Sequence, residues 1–63
     1  LQTTMPQEYF NGSEFRILFR DVIKGKVFYE IRYENGLLEL IPETELRKQA
    51  PNTLHKYLLS CTG

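Results

Sequence analysis

The sequence predicts a small α+β domain, in which a curved three-stranded antiparallel sheet packs against C-terminal helices. Two observations support this class. The run VFYEIRYENGLLELI alternates apolar and polar residues on either side of an Asn-Gly pair, which is typical of a β-hairpin. After Pro42 the apolar residues recur every three or four positions, which indicates helices.

Length and charge limit the function classes. A chain of 63 residues is one small domain, and it buries only about 60% of its unfolded-state surface. One cysteine and one histidine are too few for a disulfide or a metal cluster, so we expect stabilisation by a dimer partner or a bound protein. Eight basic and eight acidic residues are intermixed, which argues against direct nucleic-acid binding. No apolar run reaches membrane-spanning length, so we expect no membrane partner.

Residues 1–13 are polar and contain Pro6 and Gly12, which predicts an N-terminal arm or linker before a domain at 14–63. Tyr9 and Phe10 are its candidate anchors. The segment is either a docked or frayed terminus, or a segment that clamps a ligand.

The first two strands are predicted at Phe15–Ile23 and 27–33, joined by a two-residue turn at Lys24-Gly25. This register places Leu18 and Val22 on the core face. The opposite face then carries four large apolar side chains, at Phe15, Ile17, Phe19 and Phe28. Such a surface predicts a docking site for a partner, unless sheet curvature or the arm covers it.

A type I′ turn at Asn35-Gly36 would set the register of the third strand. It would place Leu38 and Leu40 on the core face and pair Arg32 with Glu39 on the other.

Two helices are predicted after the sheet. Pro42, early acidic residues and late basic residues indicate a short first helix. Pro51 opens a second helix, PNTLHKYLLSC, whose apolar stripe is Leu54, Tyr57, Leu58 and Cys61. The stripe is wider than a small sheet needs, so we expect self-association through this helix.

No pattern predicts catalysis or a cofactor. The sequence has no glycine-rich phosphate loop and no metal-ligand spacing. His55 and Cys61 are six residues apart, which places them on different faces of a helix, and no third group orients them. We therefore expect a non-enzymatic protein.

Two runs resemble the chromo and chromo shadow domains. VIKGKVFYEIRYENG resembles their first two strands, and LELIPETELRKQAPNTLHKYL resembles the shadow-domain segment that leads into the last helix. The resemblance implies a chromo-like fold and a diverged member of the heterochromatin protein family. It further implies a nuclear adaptor of gene or transposon silencing that homodimerises and docks another chromatin-associated protein or peptide.

The resemblance leaves a methyl-lysine-reading chromodomain as the alternative. Such a domain surrounds the ligand cation with three aromatic residues. Tyr33 matches the second position, and Tyr9 or Phe10 would supply the first, but Leu40 stands where the third aromatic is required. Leucine has no π face, so the shadow domain is favoured.

The resemblance also implies a two-fold interface along the last helix. Alignment on Pro51 places His55, Leu58 and Thr62 in the seam, with further apolar contact from Leu54 and Cys61. The family grips P-x-V-x-L peptides with a tryptophan, which this sequence lacks, so we expect that mode of binding to be weakened.

Overall fold

The computed structural model describes residues 8–61, which form three strands followed by two helices. The elements are β1 (Phe15–Ile23), β2 (Lys26–Tyr33), β3 (Leu38–Pro42), α1 (Glu43–Gln49) and α2 (Pro51–Cys61). The sheet is antiparallel and has the order β1-β2-β3, with β2 in the middle. The predicted α+β class, with a three-stranded sheet before C-terminal helices, is confirmed.

The turn between β1 and β2 is the predicted two-residue turn. Lys24 and Gly25 both have positive φ, at 51° and 77°, as a type I′ turn requires. Val22 lies opposite Val27 as predicted. Val22 therefore lies on the predicted core face, but it is 52% exposed because it stands at the end of the sheet, beyond the buried core.

A β-bulge at Leu18 changes the register within β1. The pairing shifts between Ile17 and Phe19, so Leu18 is the extra residue. Because successive side chains point to opposite faces, one extra residue turns the first part of the strand over. Phe15 and Ile17 therefore pack against the core, and their predicted place on the docking face is wrong. Leu18, predicted to be in the core, is exposed.

The turn between β2 and β3 has three residues rather than the predicted two. The Gly36 N–H donates to the Tyr33 carbonyl at 2.9 Å, and the Tyr33 N–H donates to the Leu37 carbonyl at 2.8 Å. Gly36 has a φ of 94°, whereas Asn35 does not have positive φ. The Asn35 side-chain oxygen instead accepts a hydrogen bond from the Leu37 N–H at 3.0 Å. The arrangement matches a type I turn followed by a left-handed glycine, which adds one residue to the loop.

The longer turn places the opposite side of β3 against the core. Ile41 lies opposite Tyr29 and is buried. Leu38 and Leu40 are exposed on the other face, so their predicted position in the core is wrong.

The core lies between one face of the sheet and the two helices. Its buried members come from every element except β1, together with one residue that precedes the sheet and one that stands between the helices: Phe10, Tyr29, Ile31, Ile41, Leu46, Ala50 and Leu54. Phe10 belongs to the predicted arm, so the folded unit begins before the predicted boundary at residue 14.

The two helices have the predicted start and end signals. α1 carries acidic residues in its first turn and basic residues in its last, and Arg47 contacts Glu43 at 3.4 Å. The Ala50 N–H donates to the Leu46 carbonyl at 2.8 Å and ends α1, after which Pro51 opens α2.

The bulge predicts opposite outcomes for two nearby substitutions. Ile17→Asp introduces a carboxylate against the core and is expected to lower the free energy of unfolding by about 3 kcal/mol. Phe19→Asp lies on the exposed face and is expected to cost about 1 kcal/mol or less. Urea unfolding followed by circular dichroism measures both. Equal losses would contradict the observed register.

Candidate functional site

The outer face of the sheet, the side opposite to buried Tyr29 and Ile31, carries a group of large apolar side chains. We define the outer face by its apolar members on the three strands: Phe19, Ile23, Phe28, Leu38, Leu40 and Pro42. Phe19 is 45% exposed, Leu38 is 58% exposed and Leu40 is 38% exposed. Large apolar side chains exposed together on one face of a small sheet are candidates for an interaction site.

Charged side chains lie among these apolar residues. Glu30 lies opposite Leu40, and Arg32 lies opposite Leu38, so the predicted pairing of Arg32 with Glu39 is wrong. Glu39 lies on the inner side of β3, where its carboxylate accepts a hydrogen bond from the Tyr33 hydroxyl. Burial raises the pKa of the Tyr33 phenol, and the hydrogen bond to Glu39 raises it further.

Half of the predicted docking residues lie on the outer face. Phe19 and Phe28 do, whereas Phe15 and Ile17 are on the inner side. Sequence reasoning missed Leu38 and Leu40, which belong to the outer face. The signal for them was present, because an asparagine followed by glycine also suits a three-residue turn.

A cavity of about 480 Å³ lies where the outer face meets the start of α1. Its lining consists of residues from β2, the end of β3 and the beginning of α1: Lys26, Val27, Phe28, Pro42, Glu43 and Thr44. Phe28 and Pro42 also belong to the outer face, so the cavity continues the apolar surface of β3 beyond its last residue.

The predicted dimer stripe on α2 is only partly available. Leu54 is 1% exposed and packs in the core, so its predicted place in an interface is wrong. Leu58 is half-buried and contacts the core, which leaves part of its side chain accessible. Thr62 lies outside the described residues.

The exposed side of α2 carries His55 and Leu59, which are one turn apart. His55 is exposed and Leu59 is 61% exposed. Cys61 is exposed as well. The hydrogen bond between the Cys61 and Tyr57 side chains raises the pKa of the Tyr57 phenol, and the partial burial of Tyr57 raises it further. Of the predicted dimer residues, His55, Cys61 and the accessible part of Leu58 are therefore available, and Leu59 adds exposed apolar surface beside them.

The second and third positions of the alternative methyl-lysine cage lie on opposite faces of the sheet. Tyr33 lies on the inner side, and its hydroxyl is bonded to Glu39, whereas Leu40 lies on the outer face. Phe10 is buried in the core and packs edge-on against Phe15. The geometry thus separates the positions that a cation cage needs to bring together.

Residues 8–13, which the sequence assigned to the arm, are docked on the domain itself. Glu8 accepts hydrogen bonds from the backbone N–H groups of Thr53 at 2.6 Å and Asn52 at 3.2 Å, in the first turn of α2. The Asn11 side-chain amide donates to the Tyr33 hydroxyl at 3.1 Å. These contacts favour the docked-terminus interpretation over a ligand clamp for the described part of the arm.

The Tyr29 hydroxyl connects the sheet to α1. It donates to the Glu43 carboxylate at 2.9 Å, while the Tyr29 ring meets Tyr57 of α2 edge-on at 5.8 Å. Burial raises the pKa of Tyr29, and the bond to Glu43 raises it further. These contacts hold both helices on the inner side of the sheet, so the buried phenol has a structural role.

Comparison of the chain with known protein families, with curated proteins and with solved structures finds no match. Between residues 8 and 61, no three histidine, cysteine or acidic side chains are grouped so as to hold a metal ion. No helix in that range is long and apolar enough to cross a membrane.

The Glu8 contact predicts a pH-dependent contribution to stability. Burial raises the pKa of Glu8, but hydrogen bonds from Thr53 and Asn52 outweigh it, so the pKa lies below its ordinary value of 4.5. The contribution is then fully present above pH 4.5 and is lost as the pH falls through the folded-state pKa. Glu8→Gln is expected to cost about 1 kcal/mol at neutral pH and progressively less in acid.

Thermal unfolding of wild type and Glu8→Gln over a pH series measures this difference. Glu14→Gln is the matched control, since Glu14 is exposed. A difference between wild type and Glu8→Gln that does not change with pH would contradict the ionised contact.

Proposed function

We propose that this chain is a non-enzymatic homodimerisation and partner-docking module, of the chromo shadow type, in a nuclear adaptor protein of heterochromatin. The observation that carries the docking function is the outer face, where Phe19, Leu38 and Leu40 leave much of their apolar surface in water. A patch of this kind on so small a domain is expected to be covered by a protein partner.

The stripe on α2 supports homodimerisation. Leu59 is 61% exposed, and His55 lies one turn before it on the same side of the helix. A two-fold axis beside this stripe would bury each Leu59 against the partner copy, next to the accessible part of Leu58. A small domain has a small core, so burial at a dimer seam adds a substantial fraction of its stability.

The chromatin part of the proposal rests on the sequence resemblance and on the order of the elements. A three-stranded sheet, a short helix and a longer helix opened by Pro51 occur in the order that the resemblance implies. A partner in gene or transposon silencing follows from the same resemblance. The methyl-lysine alternative is less well supported, because Tyr33 and Leu40 lie on opposite faces.

The dimer is tested by Leu59→Glu, which places two carboxylates in one apolar seam. Unpaired charges in such a seam are unfavourable. We therefore expect the dissociation constant of the dimer to rise at least tenfold, which corresponds to about 1.4 kcal/mol or more. Light scattering over a concentration series measures the mass. Gln49→Glu is the matched control, since it adds the same charge on α1 at an exposed position.

Two results would refute the proposed dimer. One is a wild-type chain that stays monomeric at high micromolar concentration. The other is a Leu59→Glu chain that dimerises as well as wild type while circular dichroism shows both to be folded.

A further inference from the structure

The outer edge of β3 has backbone hydrogen-bonding groups that β2 does not satisfy. Among residues 8–61, β3 pairs with β2 alone and is therefore an edge strand. At the turn, Tyr33 and Leu37 form a hydrogen-bonded pair, with a distance of 2.8 Å from the Tyr33 nitrogen to the Leu37 oxygen. Hydrogen-bonded and non-hydrogen-bonded pairs alternate along antiparallel strands. The N–H and C=O groups of Leu38 and Leu40 therefore point away from β2.

Pro42 ends the open part of this edge. A proline has no N–H, and as the N-cap of α1 its carbonyl accepts the first hydrogen bond of that helix, so Pro42 leaves no donor unpaired at the edge. A lysine or a proline on an edge strand discourages pairing with another chain. Positions 38 and 40 of β3 are both leucine, so neither safeguard is present there. In the described part of the chain, the edge is thus open at Leu38 and Leu40.

We propose that this edge binds an extended segment of a partner protein, which adds to the sheet as a fourth strand antiparallel to β3. The inference deepens the proposed docking function and rests on it. In this arrangement the segment exchanges hydrogen bonds with both backbone groups of Leu38 and of Leu40.

The two sides of β3 define the chemistry of the segment. On the outer side, Leu38 and Leu40 lie in a row with Pro42 and offer apolar surface. On the inner side, Glu39 is exposed and carries a carboxylate. Side chains alternate along a strand, so the segment needs apolar residues on one side and a lysine or arginine opposite Glu39 on the other.

The cavity at the end of β3 sets the position of the largest apolar residue. Its volume of about 480 Å³ is lined by Val27, Phe28 and Pro42, among others. An aromatic side chain opposite Pro42 would lie at its mouth. Read from its N-terminus, the segment thus has an aromatic residue, a spacer, an apolar residue, a basic residue and a second apolar residue.

A second copy of this chain fits the edge less well than such a segment. Two β3 strands related by a two-fold axis at Leu40 would place Pro42 opposite Leu38 of the other copy. The Leu38 carbonyl would then face a residue without an N–H. The two Glu39 carboxylates would also lie diagonally on the same side of the sheet, where like charges are unfavourable.

The test uses the synthetic peptide Ser-Phe-Thr-Val-Lys-Val-Ser and the ¹⁵N-labelled chain. We expect the Leu38 and Leu40 amides to exchange rapidly in the free chain and to be protected when the peptide binds. The Glu39 and Ile41 amides, which are paired with β2, should already be protected. Methylating the backbone nitrogen of the central valine, which faces Leu40, should weaken binding at least about tenfold.

Two matched controls isolate the edge and the charge. Methylation of the lysine nitrogen, which points away from β3, should change affinity less than about threefold. Glu39→Lys should weaken binding of this peptide about threefold and should favour the peptide with glutamate in place of lysine. Glu45→Lys, an exposed change on α1, should have no effect on either peptide.

Three outcomes overturn the strand proposal: no protection at millimolar peptide, equal effects of the two methylated peptides, or protection of Leu38 and Leu40 that rises with protein concentration alone. The last result would assign the edge to a second copy. Light scattering of Leu59→Glu in the same buffer measures dimerisation through α2, so failure of the dimer and failure of strand addition can be told apart. If the peptide changes the amide chemical shifts of Phe19 and Phe28 but does not protect the Leu38 and Leu40 amides from exchange, docking on the outer face is supported and strand addition is refuted.

Discussion

The alternation of side chains along a strand is the constraint on which this small domain depends. Each residue added to one strand of a pair turns every side chain beyond it to the other face. Two residues are added here, Leu18 in the bulge of β1 and the third residue of the turn that ends at Gly36. Together they decide which apolar residues enter the core and which stay in water. Neither insertion changes the number or order of the strands.

The consequences for function come from the same two insertions. The bulge turns Phe15 and Ile17 inward, which removes them from the surface and leaves Phe19 outside. The longer turn buries Ile41 and exposes Leu38 and Leu40 on an edge strand. β3 therefore contributes three of the six outer-face residues, more than either of the other strands. Apolar side chains and unpaired backbone groups then occur on the same strand, a combination that suits an extended partner.

The segments outside the sheet complete the inner side. Leu46 of α1 and Leu54 of α2 fill the core, and Phe10 reaches it from before β1. Glu8 contributes at the same place, because it accepts hydrogen bonds from the first turn of α2. These contacts bury apolar residues within a single copy of the domain, notably Leu54, which the sequence pattern had predicted to lie in a dimer interface. What remains for a second copy is a narrower stripe around Leu59.

The sequence by itself determined the α+β class, the number and order of the elements, the turn at Lys24-Gly25 and the proline that opens α2. These are local properties, set by residue types whose backbone preferences act within a few positions. Of the candidate site, it located Phe19 and Phe28 but missed Leu38 and Leu40, and it placed Leu54 in an interface. Only the tertiary structure decided the register, since an asparagine followed by glycine fits turns of two or three residues and a bulge has no local signature. The choice between those alternatives depends on which side chains are buried against Leu46 and Leu54, and that burial exists only once the helices have packed on the sheet.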